Sequence, residues 1–150
     1  MPQGSASVVI NRAPDEVFAV VSDVTRTGEW SPECHACRWV GSASGPAVGV
    51  KFEGDNSAAI GPITLKKWTT TSEITACEPG KVFEFVAEGY TTWRYEMEAS
   101  GSGTKVTESY SYAPASGMQK FLYETVMRRP AAMIKGMQQT LERIKTSLEQ

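Results

Sequence analysis

The chain reads as an α+β protein, with a curved antiparallel sheet of about seven strands wrapped around a long C-terminal helix and two short helices after the first strand. Three observations predict this. Between Pro32 and Tyr112 apolar and polar residues alternate with period two, interrupted only by short segments rich in Gly, Ser, Pro and Asn. From Met118 onward the apolar residues recur at helical spacing instead. The strand-to-strand separations are also too short for crossovers, so neighbouring strands must run antiparallel.

Taken in order, residues 5–10 form the first strand. Pro14-Asp15-Glu16 then opens a helix, because proline suits the first turn and acids favour its positive end. Val17, Phe18, Val20 and Val21 give that helix its buried stripe. A second short helix is expected over 25–30, stopped by Pro32. Strands follow at 34–40, 48–54, 65–76, 82–88, 91–99 and 104–112, separated by SASGPAVG, DNSAAIGP, CEPGK and ASGSG. Ser100-Gly101-Ser102-Gly103 is a hairpin signal. In the final segment Met118, Leu122, Val126, Met133, Met137, Leu141, Ile144 and Leu148 share a helical face, and Pro130 predicts a kink within one long helix.

A chain of 150 residues is most simply one domain, 1–150, and large enough to bury a core without staples. Its net charge of −2, with both signs interspersed, offers no basic stripe for nucleic acid. No apolar run is long enough for stable membrane insertion, and the start MPQGSASVVI lacks the charged and apolar regions of a secretory signal. Three cysteines cannot all pair within one chain, so reduced thiols in a cytoplasm are the expectation. The protein is expected to be a monomer or homodimer. There is no G-x-S-x-G, no phosphate-cradling glycine loop and no βαβ unit, which removes serine-nucleophile and dinucleotide chemistry.

Strand parity assigns faces. Trp93, Tyr95 and Met97 oppose Arg94 and Glu96; Phe83 and Phe85 oppose Glu84; Phe52 opposes Lys51 and Glu53; and Trp68 shares a face with Ile74. Together with Tyr110, Tyr112 and the helical Met118, Leu122, Val126 and Met133, these residues either fill a core or line a hollow for an apolar guest. The tyrosine hydroxyls would need partners if buried, so Tyr95, Tyr110 and Tyr112 could orient a polar group on a guest. Glu108 shares parity with Val106, Tyr110 and Tyr112. It either points inward, where desolvation would raise its pKa and suit it to acid–base work, or sits at a rim or bulge and faces out.

The segment EWSPECHACRW concentrates two of the three cysteines, the only histidine and two of the four tryptophans. Zinc would require every cysteine and the histidine, and a redox pair would want a helix N-terminus or flanking cations, so CHAC reads as strand, with no metal site. On a regular strand His35, Cys37 and Trp39 face one way and Cys34, Ala36 and Arg38 the other. Whichever face is inward would supply either His35 as a proton shuttle or Arg38 as a fixed cation.

Several strings in this order resemble the START/polyketide-cyclase superfamily, also called SRPBCC. They are VVINRAPDEVF at the start, then WSPE, GVKF, EITACEPG, WRYE and GTKVTE, and they cover nearly the whole chain. The resemblance implies the helix-grip fold and a deep apolar cavity for lipids, sterols, polyketides or similar molecules. It does not choose between a cofactor-free carrier or sensor and a cyclase or dehydratase, since the superfamily contains both. The enzymatic reading needs a base and an enolate-oxygen donor, for which His35 or Glu108 and Tyr95, Tyr110 or Arg38 are the candidates.

Overall fold

A computed structural model describes residues 3–31, 34–60, 63–112 and 129–149. Its centre is one seven-stranded antiparallel sheet formed by β1 (Gln3–Ile10), β2 (Cys34–Trp39), β3 (Lys51–Ile60), β4 (Ile63–Glu78), β5 (Val82–Ala87), β6 (Thr91–Ser100) and β7 (Gly103–Tyr112). The spatial order is β1-β7-β6-β5-β4-β3-β2, so strands β2 to β7 form a meander and β1 adds to its far edge beside β7.

Helix α1 (Pro14–Val21) starts on proline with Asp15 and Glu16 in its first turn, and buries Val17, Phe18, Val20 and Val21. A 3-10 turn follows over Val24–Glu29, with the Asp23 carboxylate accepting a hydrogen bond from the Thr25 N–H at 3.2 Å. It lies against β2. The C-terminal helix α2 (Arg129–Glu149) buries Met133, Met137, Leu141 and Ile144, a stripe spaced by three or four residues, with Thr140 next to it, and packs chiefly on β1 with β7 beside it. Pro130 is its second described residue. The expected kink, together with Met118, Leu122 and Val126, lies outside the described residues.

Two strands run longer than alternation alone predicts. The polar DNSAAIGP reads as a connection in the sequence, but β3 continues through Asp55 and Asn56 to Ile60 and β4 resumes at Ile63. These polar side chains are satisfied laterally. Asp55 pairs with Arg38 and accepts from Thr69 at 3.1 Å, while the Asn56 amide donates to the Gly54 carbonyl at 3.1 Å and to the Thr70 hydroxyl at 3.1 Å. Residues 48–50, assigned to a strand from the sequence, precede β3.

The buried residues form two clusters. The larger joins α1 to Phe52, Ile74, Phe83, Tyr95, Met97, Leu141 and Ile144. The smaller holds Tyr110, Tyr112, Met133 and Met137, with Trp93 and Tyr90 packed against it.

Candidate functional site

The site is built on the neighbouring strands β6 and β7, the third and second from the β1 edge of the sheet. Their register sets Tyr95 directly opposite Glu108, and Trp93 opposite Tyr110. Val106, Glu108, Tyr110 and Tyr112 all point to the buried face, so of the two orientations open to Glu108 the inward one is realised. Its side chain is 6% exposed, and its Oε1 has no hydrogen-bond partner. The Tyr95 hydroxyl donates to the Glu108 carboxyl. Burial pushes the Glu108 pKa from 4.5 up to about 8, and the Tyr95 hydrogen bond pulls partly against that rise. Burial also pushes the Tyr95 phenol well above its usual range, helped by the neighbouring Glu108 and by Cys34. At neutral pH both groups therefore hold their protons, and Glu108 is a neutral carboxylic acid with one oxygen unused.

Rings flank this pair on both sides. Toward the smaller cluster, Trp93 lies 5.8 Å from Tyr110, which stacks on Tyr112 at 5.9 Å. Toward the other, Phe52 meets Phe85 edge-on at 5.0 Å and Trp39 at 6.2 Å. Phe52, Phe83, Met97, Tyr110, Tyr112 and Met133 are buried, whereas Trp39, Trp68, Phe85 and Trp93 are half-buried. Phe83 is wedged between Phe18 and Phe85, as core rather than margin.

Strand β2 departs from simple alternation. Cys34 pairs with Asn56 and Ala36 with Asp55, leaving His35 as the extra residue of a β-bulge. The bulge turns His35 outward to the Ser57 hydroxyl and brings Cys34 round to the side of Cys37 and Trp39. Arg38 also faces out, held by Asp55 at 3.0 Å and Glu53 at 3.3 Å. Neither His35 nor Arg38, the two alternatives that strand parity left open, joins Glu108 and Tyr95, and CHAC is strand as its composition suggests. Both reasons are local, namely one inserted residue and a surface acid pair. An exposed ion pair contributes little. Arg38→Ala is accordingly expected to leave the melting temperature and any guest affinity unchanged within error, as calorimetry and ligand titration would show.

Two features escape sequence reasoning. Parity places Cys34 and Cys37 on opposite faces, yet they meet; a C-x-x-C on a strand is the available signal, and only a bulge makes it meaningful. Asn56 reads as a turn residue, but it braces β3 against β4. Among the described residues no three His, Cys, Asp or Glu side chains converge to hold a metal ion, and no helix is long and apolar enough to cross a membrane. An open polar groove of about 470 Å³ lies between Glu29 and the α2 residues Gln139, Glu142, Arg143, Thr146 and Ser147, sharing no residue with the Glu108 site.

A seven-stranded antiparallel sheet with short helices after its first strand and a long C-terminal helix is the helix-grip fold. The chain belongs to the family described as polyketide cyclase / dehydrase and lipid transport, whose model matches residues 1–149. Among solved structures it is similar to the polyketide-cyclase-like protein Cgl2372 of Corynebacterium glutamicum, at 36% identity, 99% coverage of this chain, 94% of that one and a TM-score of 0.66. It shares its fold with a STAR-related lipid transfer protein of Xanthomonas axonopodis, at 18% identity, 99% and 86% coverage and a TM-score of 0.68. The same holds for TTHA0849 of Thermus thermophilus, at 14% identity, 99% and 97% coverage and a TM-score of 0.69. A search of the curated proteins finds no match.

Proposed function

We propose that the protein binds a hydrophobic small molecule, a lipid, polyketide or similar compound, against the ring-lined face of its sheet, as a carrier or sensor. Glu108 and Tyr95 hold the guest's oxygen. The observation that carries this reading is the unpartnered Oε1 of the buried Glu108. A polar atom removed from water without a partner costs about 1–3 kcal/mol. A carbonyl or hydroxyl on a guest would recover that loss, while its apolar body would cover the half-buried Trp93 and Phe85. Family membership and the lipid-transfer fold relative support the same reading.

One observation favours a second reading, a cyclase or dehydratase. A carboxyl with a pKa of about 8 and a phenol in contact can, in its ionised form, take the proton from a carbon next to a carbonyl and later return it, while the phenol holds the enolate oxygen.

Native mass spectrometry of protein purified from its own host, followed by thermal shift with apolar ketones, tests both readings. A guest at a hundredfold excess over Kd should stabilise the chain by about 2.7 kcal/mol, roughly 5–10 °C for a protein of this size. Under the carrier reading Glu108→Gln weakens binding about tenfold. Under the enzymatic reading the same change abolishes turnover of a poly-β-ketone while binding persists. No co-purified guest and no shift at saturating ligand would end both.

A further inference from the structure

We propose that Cys34 and Cys37 form a thiol–disulfide exchange site, oxidised by low-molecular-weight disulfides of the glutathione type to an intramolecular bridge. The two Sγ atoms lie 3.1 Å apart on one side of β2. On an unbroken strand residues three apart project to opposite faces, so this proximity is a product of the His35 bulge. The bulge is itself held from two sides. The carbonyl of His35 lies where a side chain on Gly28 would stand, so the 3-10 turn presses its bare backbone onto the bulge. Beneath the thiols, a Cβ on Gly54 of β3 would come within 3.1 Å of the Cys37 sulfur and 3.2 Å of the Cys34 sulfur. Two glycines thus make room for two sulfurs in contact, and about 1 Å of further approach would reach bonding distance.

The two thiols are not equivalent. Cys37 is the one held toward the thiolate, first by the Cys34 S–H donating to it and then by the Thr27 hydroxyl and the Arg38 charge, against the opposing effect of burial. Cys34 is held protonated by the same contact and by its burial. Both are half-buried rather than sealed, so a small disulfide can reach them. In the first step the Cys37 thiolate attacks one sulfur of R–S–S–R, forming Cys37–S–S–R and releasing RS⁻. That thiolate takes up the proton lost from Cys34. The Cys34 thiolate then attacks the Cys37 sulfur, displacing a second RS⁻, which is protonated by solvent. The dithiol is oxidised by two electrons, and one R–S–S–R is reduced to two RSH. No guest on the sheet is required. Cys77, whose thiol is pushed up by burial alone and contacts neither, is the internal control.

The test is to incubate the reduced full-length chain with graded ratios of oxidised to reduced glutathione, trap free thiols by alkylation, and map the products by mass. The expected product is two hydrogens lighter, bridged between Cys34 and Cys37, with Cys77 alkylated. The folded chain should form it with an equilibrium constant at least about tenfold more favourable than the same chain in urea. Cys34→Ser should stop the reaction at a glutathione adduct on Cys37, and Cys37→Ser should slow adduct formation. The inference is overturned if the bridge forms equally well in urea, if Cys77 or a second molecule supplies the partner, or if only unbridged adducts accumulate on the wild type. These measurements use the wild-type chain, so they stand even if a serine variant fails to fold.

Discussion

Glu108→Gln is expected to make the protein markedly more stable than wild type at pH 9 and to remove most of the dependence of stability on pH between 5 and 9. The reason is linkage. In the unfolded chain this carboxyl ionises near 4.5, whereas in the folded protein it keeps its proton until about pH 8. Between those values the folded state binds more protons than the unfolded one, so stability falls as pH rises. The contribution is best below pH 4.5, declines through the interval, and levels off above 8. At about 1.4 kcal/mol per pH unit, the full penalty approaches roughly 5 kcal/mol, an upper limit for a site that can relax. Glutamine has nearly the same shape and cannot ionise. Urea unfolding of both chains at several pH values reads the difference directly, and comparing variant with wild type cancels the other titrating groups. Tyr95→Phe should move the wild-type midpoint upward, because the phenol is what pulls the carboxyl pKa down. A variant whose stability declines with pH as steeply as the wild type's would show that Glu108 is not desolvated.

Phe83→Ala should cost about 3–5 kcal/mol, whereas Phe85→Ala should cost only about 1–2 kcal/mol. The side chains are two residues apart on one face of β5 and their rings are 5.8 Å apart, so sequence alone makes them equivalent. Phe83 is 1% exposed and meets Phe18 of α1 edge-on at 6.5 Å. Truncating it opens a cavity where helix and sheet are both committed, with little able to collapse into the space. Phe85 is half-buried, beside Phe52, and loses less. The effect on binding should be reversed. Phe83→Ala leaves guest affinity within about twofold, and Phe85→Ala weakens it about tenfold. Chemical denaturation and the ligand titration described above measure the two quantities. Equal stability losses would refute the division into a sealed end and a ring-lined margin.

Much of this molecule is local grammar. The element order follows from apolar spacing and punctuation, and the start of α1 from Pro14, Asp15 and Glu16. The inward sets of β7 and of Tyr95 and Met97 on β6 follow from period-two alternation, because each strand's faces depend only on its own residues, whereas on β5 the adjacent Val82 and Phe83 are both buried. Alternation, however, assigns residues to faces without saying which face is covered. Glu108 became a buried acid only when β1 paired with β7 across the length of the chain and α2 packed alongside. Its neighbour Tyr95 was set by the β6–β7 register. On β2 even the parity was decided elsewhere. The bulge at His35 faces the 3-10 turn on one side and β3 on the other, and one inserted residue exchanges the faces of everything before it. That exchange sent the histidine to the surface and brought the two thiols together. The sequence by itself determined which residues could be inside; long-range pairing, which no local pattern encodes, decided which of them met.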